Sequence, residues 1–399
     1  MNIRAIQQRL DSIGLLWLTI LLIFLASSLI YLAPSLWQTW THDGATLVNQ
    51  GGFVTGHDFV AFYAASKAVW SGDAAMVYDR DFMMAAQIEI VGAADIGYLA
   101  FMYPPTYLLL VAPLATLPYF PALALWQALP FVLFLLALRR IALPPIALVM
   151  AAGAPAIAQV LFAGQNGLLF ALFLGVGLMA LDRRPLAAGL LLGLAATKPQ
   201  LAILLVPALI AGQNWRALAA MLGCVVALTV LSAAVFGADI WYSYLAVPGQ
   251  VRDYLALGQF PWPRMPTLYA AGRLSGLPHT ASMILQVAGA LTVVAGIVWT
   301  WRKAAPTSLR ITVLLAGAPL ATPFMYDYDL PFMLIALGLY LAEALGRSQA
   351  WWERYMLLLV WLQPVWWWYW ITSSTGVSIA PLVYASFFAA AVYRTRAAS

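Results

Sequence analysis

The residues best suited to chemistry lie in a polar, acid-bearing segment, residues 56–79, that follows the first long apolar run. Asp58 stands near its start, beside His57 and ahead of a helical apolar pattern. A carboxylate among apolar side chains gains basicity and could take a proton from a hydroxyl group that attacks an activated donor. Asp58 could also cap the following helix by accepting a backbone hydrogen bond. The two roles are compatible, so the sequence predicts a general base and leaves capping open.

Lys198 and a pair of amides form a second group of candidates. Lys198 interrupts the apolar stretch 186–212, where a charge is costly and marks a functional site by default. It could contact a phosphate as a point charge, or it could extend to the lipid headgroups along its alkyl chain. Gln165 and Asn166, in the motif AGQNG, come at the predicted outer end of the preceding helices. We expect the three side chains to line one cavity, with a simple polar turn as the alternative for the amides.

A third group lies late in the chain. Arg264 and Arg273 occur in a stretch rich in proline and aromatic residues, QFPWPRMPTLYAAGRLSGLP. Such a loop could hold a diphosphate or a phosphate-sugar, although interfacial arginines also pair with lipid headgroups. Tyr326, Asp327 and Asp329 follow in ATPFMYDYDLP, between two apolar runs. They could cap the next helix or bind sugar hydroxyls, and the sequence leaves both roles open.

Other polar and aromatic clusters have simpler interpretations. Asp79 and Asp81 open a predicted helix and are expected to be caps. The run WLQPVWWWYW, residues 361–370, is typical of an aromatic belt at the headgroup level, with stacking on a sugar or prenyl chain as the alternative. The histidines are scattered, and no nucleotide-binding or metal-binding spacing occurs. We therefore expect no metal and no cofactor.

The elements that must position these residues are membrane helices. Hydrophobic residues make up 64% of the chain and charged residues 9%. Apolar runs of about 20 residues recur, which is the length that crosses the hydrocarbon core as a helix. Lipid tolerates only helices or closed barrels, and unbroken apolar runs without alternation indicate helices. The predicted fold class is an all-α polytopic membrane protein that forms a single integral membrane domain over residues 1–399.

The sequence predicts about twelve membrane spans. They lie at residues 14–33, 119–138, 145–163, 165–181, 186–197, 199–212, 215–236, 279–301, 308–325, 329–345, 353–371 and 376–393. The first is expected to be a retained helix rather than a signal peptide, because its apolar part is too long. A further apolar piece, residues 104–117, is short and rich in proline, and we expect it to lie half-buried against the outer leaflet.

The basic residues predict the orientation in the membrane. With residues 104–117 not crossing, most Arg and Lys residues fall in short loops on one side, which is then the cytoplasm, together with both termini. Two long segments, residues 35–119 and 237–278, then face outward, and loops of this length are usually functional. The formal net charge of +5 therefore reports topology and does not indicate a nucleic-acid partner. We expect a bacterial-type inner membrane and an active site on its outer, periplasmic face.

Two helices are predicted within the first outer segment. Phe59, Phe62, Ala65 and Val69 recur at helical spacing, which favours an amphipathic helix lying at the membrane interface. A second helix of this kind is predicted over residues 80–91.

Four stretches of the chain together resemble glycosyltransferase family 87, whose members are membrane enzymes with the GT-C fold. The stretches are HDFVAFYAASKAVWSGDAAMVYD, FMYPPTYLLLVAPLATLP, GQNGLLFALFLGVGLMALDRRPLAAGLLLGLAATKPQ and ATPFMYDYDLP. The best-known members are mycobacterial mannosyltransferases that use polyprenol-phosphate-mannose. The resemblance implies a GT-C-type helix bundle, a polyprenyl-phosphate-sugar donor presented from the outer leaflet, and metal-independent transfer with inversion at the anomeric carbon.

The resemblance also implies roles for individual residues. Asp58 matches the family's aspartate after the first span, which is taken to be the general base. Lys198 and Arg273 match a lysine and an arginine that would contact the lipid phosphate, and Arg264 is added to this donor group from the same outer loop. Acceptor or sugar contacts are expected from His57, Tyr63, Gln165, Asn166, Tyr326, Asp327 and Asp329. Some members carry a histidine near the position of Tyr326, and this chain does not, so the acceptor is not carried over.

The sequence thus favours a glycosyltransferase of the cell envelope that transfers mannose, another hexose or a pentose to a lipid-linked or envelope glycan acceptor. The first alternative is a lipid or glycan flippase or transporter. A transporter would be expected to place charges near the bilayer midplane in both halves, whereas the acids here gather in outer segments. The second alternative is a noncatalytic envelope scaffold, in which the acids would only cap helices.

Overall fold

The computed structural model describes residues 19, 22, 44–141, 143–344, 351–364 and 366–398, and within these ranges the protein is all-α apart from one isolated bridge between Val48 and Val54. The predicted first span, residues 14–33, lies outside the described residues except at positions 19 and 22.

The first half of the chain forms ten of the described helices. They are α1 (Phe59–Trp70), α2 (Arg80–Val91), α3 (Pro105–Val111), α4 (Tyr119–Leu138), α5 (Pro145–Ala152), α6 (Pro155–Ala163), α7 (Gly167–Ala180), α8 (Pro185–Ala195), α9 (Pro199–Ala202) and α10 (Leu205–Ala211). Single 3-10 turns at Ala74–Tyr78 and Ala112–Thr116 lie between α1 and α2 and after α3.

The second half continues in the same way. Its helices are α11 (Trp215–Phe236), α12 (Asp239–Tyr244), α13 (Val247–Leu257), α14 (Leu268–Leu274), α15 (His279–Trp301), α16 (Thr307–Ala321), α17 (Phe332–Ala344), α18 (Trp351–Leu362), α19 (Trp366–Thr375) and α20 (Ala380–Ala398). Two 3-10 turns, Trp262–Arg264 and Asp327–Asp329, carry charged candidates for the site.

Several helices suit a membrane location. In the described ranges, four helical stretches are long and apolar enough to cross a bilayer: Tyr119–Leu138, Pro145–Ala163, Trp215–Phe236 and His279–Trp301. Shorter apolar helices occur at Pro105–Thr116, Gly167–Ala180, Pro185–Ala195, Thr307–Ala321 and Phe332–Ala344. These findings support a helical membrane protein, while the number of crossings and the side that each loop faces stay predictions.

Prolines lie at the breaks of three predicted continuous spans. The stretch 145–163 divides into α5 and α6, and Pro155 is the first residue of α6. The stretch 199–212 divides into α9 and α10, and the stretch 353–371 divides into α18 and α19. Pro207 and Pro364 lie at or near the start of the second helix in these two cases. Because proline has no backbone N–H, it cannot donate the hydrogen bond that would continue the preceding helix.

Helix α1 is a core element and does not lie on the surface. Of the predicted apolar positions, Phe59, Phe62 and Ala65 are buried and Val69 is half-buried, but Val60, Ala61 and Ala64 on its other sides are buried too. Ser66 donates to the Ala112 carbonyl at 2.8 Å and accepts from the Ala115 amide at 2.8 Å, so the proline-rich turn after α3 covers this face. The prediction of an amphipathic surface helix was wrong, because small side chains on the supposedly exposed face allow a second segment to pack there.

The apolar core falls into two clusters. One is built on α1 to α4 with Ile240, and the other on the helices from α4 onward. Within the described residues 44–119, the chain therefore folds around its own core and packs against the rest of the bundle, which positions the start of α1 between the two clusters.

Candidate active site

A cavity of about 650 Å³ opens where residues 58–104, residues 244–264 and the turn after α16 meet. Its polar lining includes Asp58, Gln165, Lys198, Arg264, Tyr326 and Asp329, which the sequence had proposed as site residues. The fold thus brings candidates from distant parts of the chain into one cavity of the size that small-molecule sites have.

The Asp58 side chain does not cap α1. It makes no capping hydrogen bond to the helix, so the capping alternative is wrong. Its Oδ2 atom accepts a hydrogen bond of 2.8 Å from Nε2 of Gln165. The Asp58 backbone N–H donates to the carbonyl of Ala163 at 3.1 Å, which ties the start of α1 to the end of α6.

Two glycines allow the motif AGQNG to approach both neighbouring segments. A Cβ atom at Gly164, whose φ is +61°, would lie 2.0 Å from the Gly56 carbonyl oxygen. A Cβ atom at Gly167 would lie 1.8 Å from the Tyr328 carbonyl oxygen. A side chain at either glycine would push these segments apart, and Gln165 would lose its place against Asp58.

The Gln165 amide is held in a fixed orientation. The Tyr103 hydroxyl donates to its Oε1 at 3.1 Å, which leaves Nε2 directed at Asp58. Asn166 does not line the cavity, since it is buried and its Nδ2 donates to the Tyr107 hydroxyl at 2.6 Å. Of the three side chains expected to share one cavity, Gln165 and Lys198 line it and Asn166 does not.

Burial raises the pKa of Asp58 above its ordinary value of 3.8. The hydrogen bond from Gln165 and the charges of Arg264 and Lys198 act in the opposite direction, and burial outweighs them. A carboxylate whose basicity is raised in this way is suited to accept a proton from a substrate hydroxyl.

His57 and Tyr63 do not reach the cavity. His57 has a φ of +43°, and its ring lies between Phe53 and Phe162 at centroid distances of 5.3 and 4.5 Å. Burial, and secondly the charge of Arg264, lowers the pKa of His57 to about 4, so the ring is neutral at neutral pH. The Tyr63 hydroxyl donates to the Leu117 carbonyl at 2.9 Å. The structure therefore gives both side chains packing roles rather than the expected acceptor contacts.

Lys198 is buried and paired inside the protein. Its ammonium group contacts the carboxylate of Asp329, and the side chain is only 3% exposed. The rings of Tyr103, Phe170 and Tyr328 surround the charge at 5.8 to 5.9 Å. Extension to the lipid headgroups is therefore excluded in this structure, and the lysine charge stands at the cavity wall.

Arg264 forms the second ion pair of the site. Its Nε and Nη2 atoms donate to the two carboxylate oxygens of Asp327 at 3.0 and 2.8 Å. The guanidinium also lies 5.9 Å from the ring centre of Tyr326 and 5.6 Å from that of Tyr328. The bidentate pair with Asp327 fixes the orientation of the Arg264 guanidinium as well as its distance from the carboxylate.

One short turn, Asp327–Asp329, holds both cations. Asp329 also accepts from the Tyr326 backbone N–H at 3.0 Å, and Asp327 from the Tyr328 N–H at 2.8 Å. The two carboxylates therefore stabilise the turn and bind Lys198 and Arg264, so both are engaged within the protein. Asp327 lies behind Arg264 and does not line the cavity, whereas Tyr326 and Asp329 do.

Arg273, the arginine that the family resemblance assigns to the donor phosphate, lies outside the cavity lining. It belongs to α14, and its guanidinium stacks 4.6 Å from the ring centre of Trp262. Arg264, in the turn before α14, is the arginine of this segment that reaches the cavity.

The sequence interpretation missed Tyr103, Tyr328 and Arg80 as cavity residues. Tyr103 precedes the two prolines of FMYPPTY and Tyr328 stands between two acids, but neither carries a charge that would single it out. Arg80 follows Asp79, which caps α2 as predicted by accepting from the Phe82 N–H at 2.8 Å. Asp81 is exposed in the first turn of the same helix.

The described part of the chain contains no cluster of three or more His, Cys, Asp or Glu side chains placed as metal ligands would be. In the aromatic run at residues 361–370, Trp361 donates to the Met150 carbonyl and Trp370 is 63% exposed. The belt at the membrane surface stays a prediction.

Comparison with protein families gives a match to the model of glycosyltransferase family 87 over residues 101–323, which is more than half of the chain. The matched range contains Tyr103, Gln165, Lys198 and Arg264, and it leaves Asp58 and Tyr326 outside. No curated protein and no solved structure matches the chain.

Proposed function

Because the chain belongs to glycosyltransferase family 87 and is therefore a glycosyltransferase, we propose that it transfers a sugar from a polyprenyl-phosphate-sugar donor to a lipid-linked or envelope glycan acceptor. The sugar is mannose, another hexose or a pentose, and the site faces the outer side of a bacterial-type inner membrane. Family membership decides against the flippase and scaffold alternatives.

The observation that carries the proposal is that Asp58 shares a cavity with Lys198 and Arg264, two cationic side chains that are fixed by ion pairs. The carboxylate has raised basicity, and Gln165 occupies one of its oxygens. Among the described residues no hydrogen bond to the other oxygen, Oδ1, occurs, which leaves it available to a substrate hydroxyl.

In the proposed reaction, Oδ1 of Asp58 takes the proton from the acceptor hydroxyl as its oxygen attacks the anomeric carbon. The new glycosidic bond forms while the bond from the anomeric carbon to the phosphate oxygen breaks, and the electron pair leaves on the phosphate. A single displacement of this kind inverts the anomeric configuration. The proton on Asp58 then passes to solvent.

Lys198 and Arg264 are proposed to stabilise the phosphate as it leaves. Charged groups held in place before the reaction need no reorganisation when negative charge develops, which makes them effective. Their pairing with Asp329 and Asp327 supports this role, because the carboxylates fix both cations at the cavity wall.

Tyr326 is proposed to contact a sugar. Its ring lines the cavity and stacks on Tyr328 with a centroid distance of 5.0 Å and an angle of 23°. Ligand sites commonly combine such aromatic surfaces with a few convergent polar groups.

The test is transfer of labelled sugar from short-chain polyprenyl-phosphate sugars, mannose first and then other hexoses and pentoses, to a membrane lipid extract by the purified protein. We expect transfer by the wild type and a loss of about 10²- to 10⁴-fold in Asp58→Asn. The matched control is Asp253→Asn, since Asp253 is an exposed carboxylate that does not line the cavity.

Thermal unfolding of both variants must match the wild type for the comparison to hold. Transfer from nucleotide sugars but from no lipid-linked sugar would overturn the proposed donor. Equal turnover by wild type and Asp58→Asn would overturn the role of the carboxylate.

A further inference from the structure

Three cations line the cavity, and only one of them has no carboxylate partner in the described part of the chain. Lys198 pairs with Asp329, and Arg264 pairs with Asp327. In the described ranges, no carboxylate oxygen lies within 4.0 Å of a nitrogen of Arg80. Arg80 is exposed at the cavity wall and has no ion-pair partner in these ranges.

The acids next to Arg80 in sequence form no ion pair with it. Asp79 directs its Oδ1 to the Phe82 backbone N–H at 2.8 Å, and Asp81 is exposed in the first turn of α2. The contact that the structure gives the guanidinium is with an aromatic ring, because its central carbon lies 5.5 Å from the centre of the Tyr98 ring.

Neutral polar side chains line the cavity together with Arg80, namely those of Tyr98, Tyr244, Tyr254 and Gln259. The charge of Asp79, the neighbour of Arg80 in sequence, also acts on Tyr98. An arginine with hydroxyl and amide donors nearby and no acid in contact favours an anion with several acceptor oxygens, since a guanidinium binds phosphate through two parallel hydrogen bonds.

A different element positions Arg80 from the one that holds the other two cations. Arg80 begins α2, whereas Lys198 and Arg264 pair with carboxylates of the turn Asp327–Asp329. The cavity lining therefore has two cations in ion pairs and one cation without an ion-pair partner in the described ranges.

We propose that Arg80 and Tyr98 form a phosphate-binding subsite that takes the phosphate group of a lipid substrate. The proposal rests on the proposed function, in which at least one substrate carries a lipid-linked phosphate. The phosphate belongs either to the polyprenyl donor or to a phospholipid-type acceptor, and the two sources share the chemistry that Arg80 recognises.

Binding is tested without turnover, by native mass spectrometry of the purified full chain with three lipids. The probes are a short-chain polyprenyl phosphate, the uncharged polyprenol of the same length, and phosphatidic acid. We expect Arg80→Gln to weaken binding of at least one phosphate lipid about tenfold or more and to leave polyprenol unchanged. Arg80→Lys keeps the charge but cannot donate two parallel hydrogen bonds, so it should restore only part of the affinity.

The matched control is Arg252→Gln, because Arg252 is exposed and pairs with Asp253 away from the cavity. Weakening with polyprenyl phosphate alone identifies the donor as the source, and weakening with phosphatidic acid alone identifies a phospholipid acceptor. Unchanged affinity of Arg80→Gln for both phosphate lipids, or equal weakening with polyprenol, would overturn the subsite.

The outcome also separates this inference from the proposed function. If the wild type binds a phosphate lipid through Arg80 but transfers no sugar from any polyprenyl-phosphate sugar, the proposed donor chemistry fails and the subsite stands. If the wild type transfers sugar and Arg80→Gln keeps both affinity and KM for each substrate, the subsite fails and the function stands.

Discussion

The amide nitrogen of Gln165 donates a hydrogen bond of 2.8 Å to one carboxylate oxygen of Asp58, across 107 residues of the chain. The Tyr103 hydroxyl holds the other end of the same amide. The proposed base is thus oriented by a side chain whose own orientation is fixed, which is how a precise site keeps its first contacts in place.

Gln165→Leu removes this hydrogen bond at nearly constant volume. We expect kcat to fall about 10- to 100-fold with KM little changed, because the carboxylate loses its orientation while the substrate contacts persist. Steady-state kinetics measure kcat and KM separately. Gln250→Leu is the control, since Gln250 is exposed on α13 and outside the cavity. A rise in KM with unchanged kcat would instead give Gln165 a substrate-binding role.

The pH profile should report the environment of Asp58. The base acts when deprotonated, so kcat/KM falls as the pH drops through its pKa. Burial raises that pKa, so the acidic limb should lie above pH 3.8. The hydrogen bond from Gln165 acts to lower the pKa, so its loss in Gln165→Leu should move the limb to higher pH. A limb that moves to lower pH in this variant would contradict the assignment of Asp58 as the titrating base.

The buried pair of Lys198 and Asp329 should be coupled in stability. Lys198→Met leaves an unpaired carboxylate in the interior, and breaking a buried pair in this way costs about 3–5 kcal/mol. The double variant Lys198→Met/Asp329→Asn removes both charges and should recover much of the thermal unfolding temperature, while transfer activity stays low. A double variant no more stable than Lys198→Met would show that the pair is not coupled.

Arg264 and Arg273 should differ in their effect on activity. Arg264 lines the cavity and Arg273 stacks on Trp262 outside it. We expect Arg264→Gln to lower kcat/KM about 100-fold, a loss of about 2.7 kcal/mol of transition-state stabilisation. Arg273→Gln should change kcat/KM little and act mainly on stability, through the lost cation–π contact. A larger loss of activity in Arg273→Gln would favour the assignment that the family resemblance implies.

Gly167→Ala should disturb the contact between α7 and the turn Asp327–Asp329. The added Cβ would lie 1.8 Å from the Tyr328 carbonyl oxygen, so one segment must shift. Overpacking of this kind typically costs about 1–3 kcal/mol, and here it should also reduce transfer. Gly223→Ala is the control, because a Cβ at that position meets no atom within 4 Å. Wild-type activity and stability in Gly167→Ala would contradict the close approach.

Local pattern determined much of the helical framework. The predicted spans 119–138, 215–236 and 279–301 coincide with α4, α11 and α15, and the predicted helix 80–91 coincides with α2. The length of an apolar run and the residues that end it act within one segment, so the sequence alone reveals them. The same local signals marked Asp58 and Lys198 as unusual, because a charge beside long apolar runs needs a reason.

Only the tertiary structure decided which charged side chains of the site pair with each other. Asp329 reaches Lys198 across 131 residues and Asp327 reaches Arg264 across 63, and neither distance leaves a local pattern. The burial of α1 likewise depends on the turn that covers it. A carboxylate that caps a turn, binds a cation or contacts a sugar has the same sequence signature, and which of these it does depends on the partners that packing brings within hydrogen-bond distance.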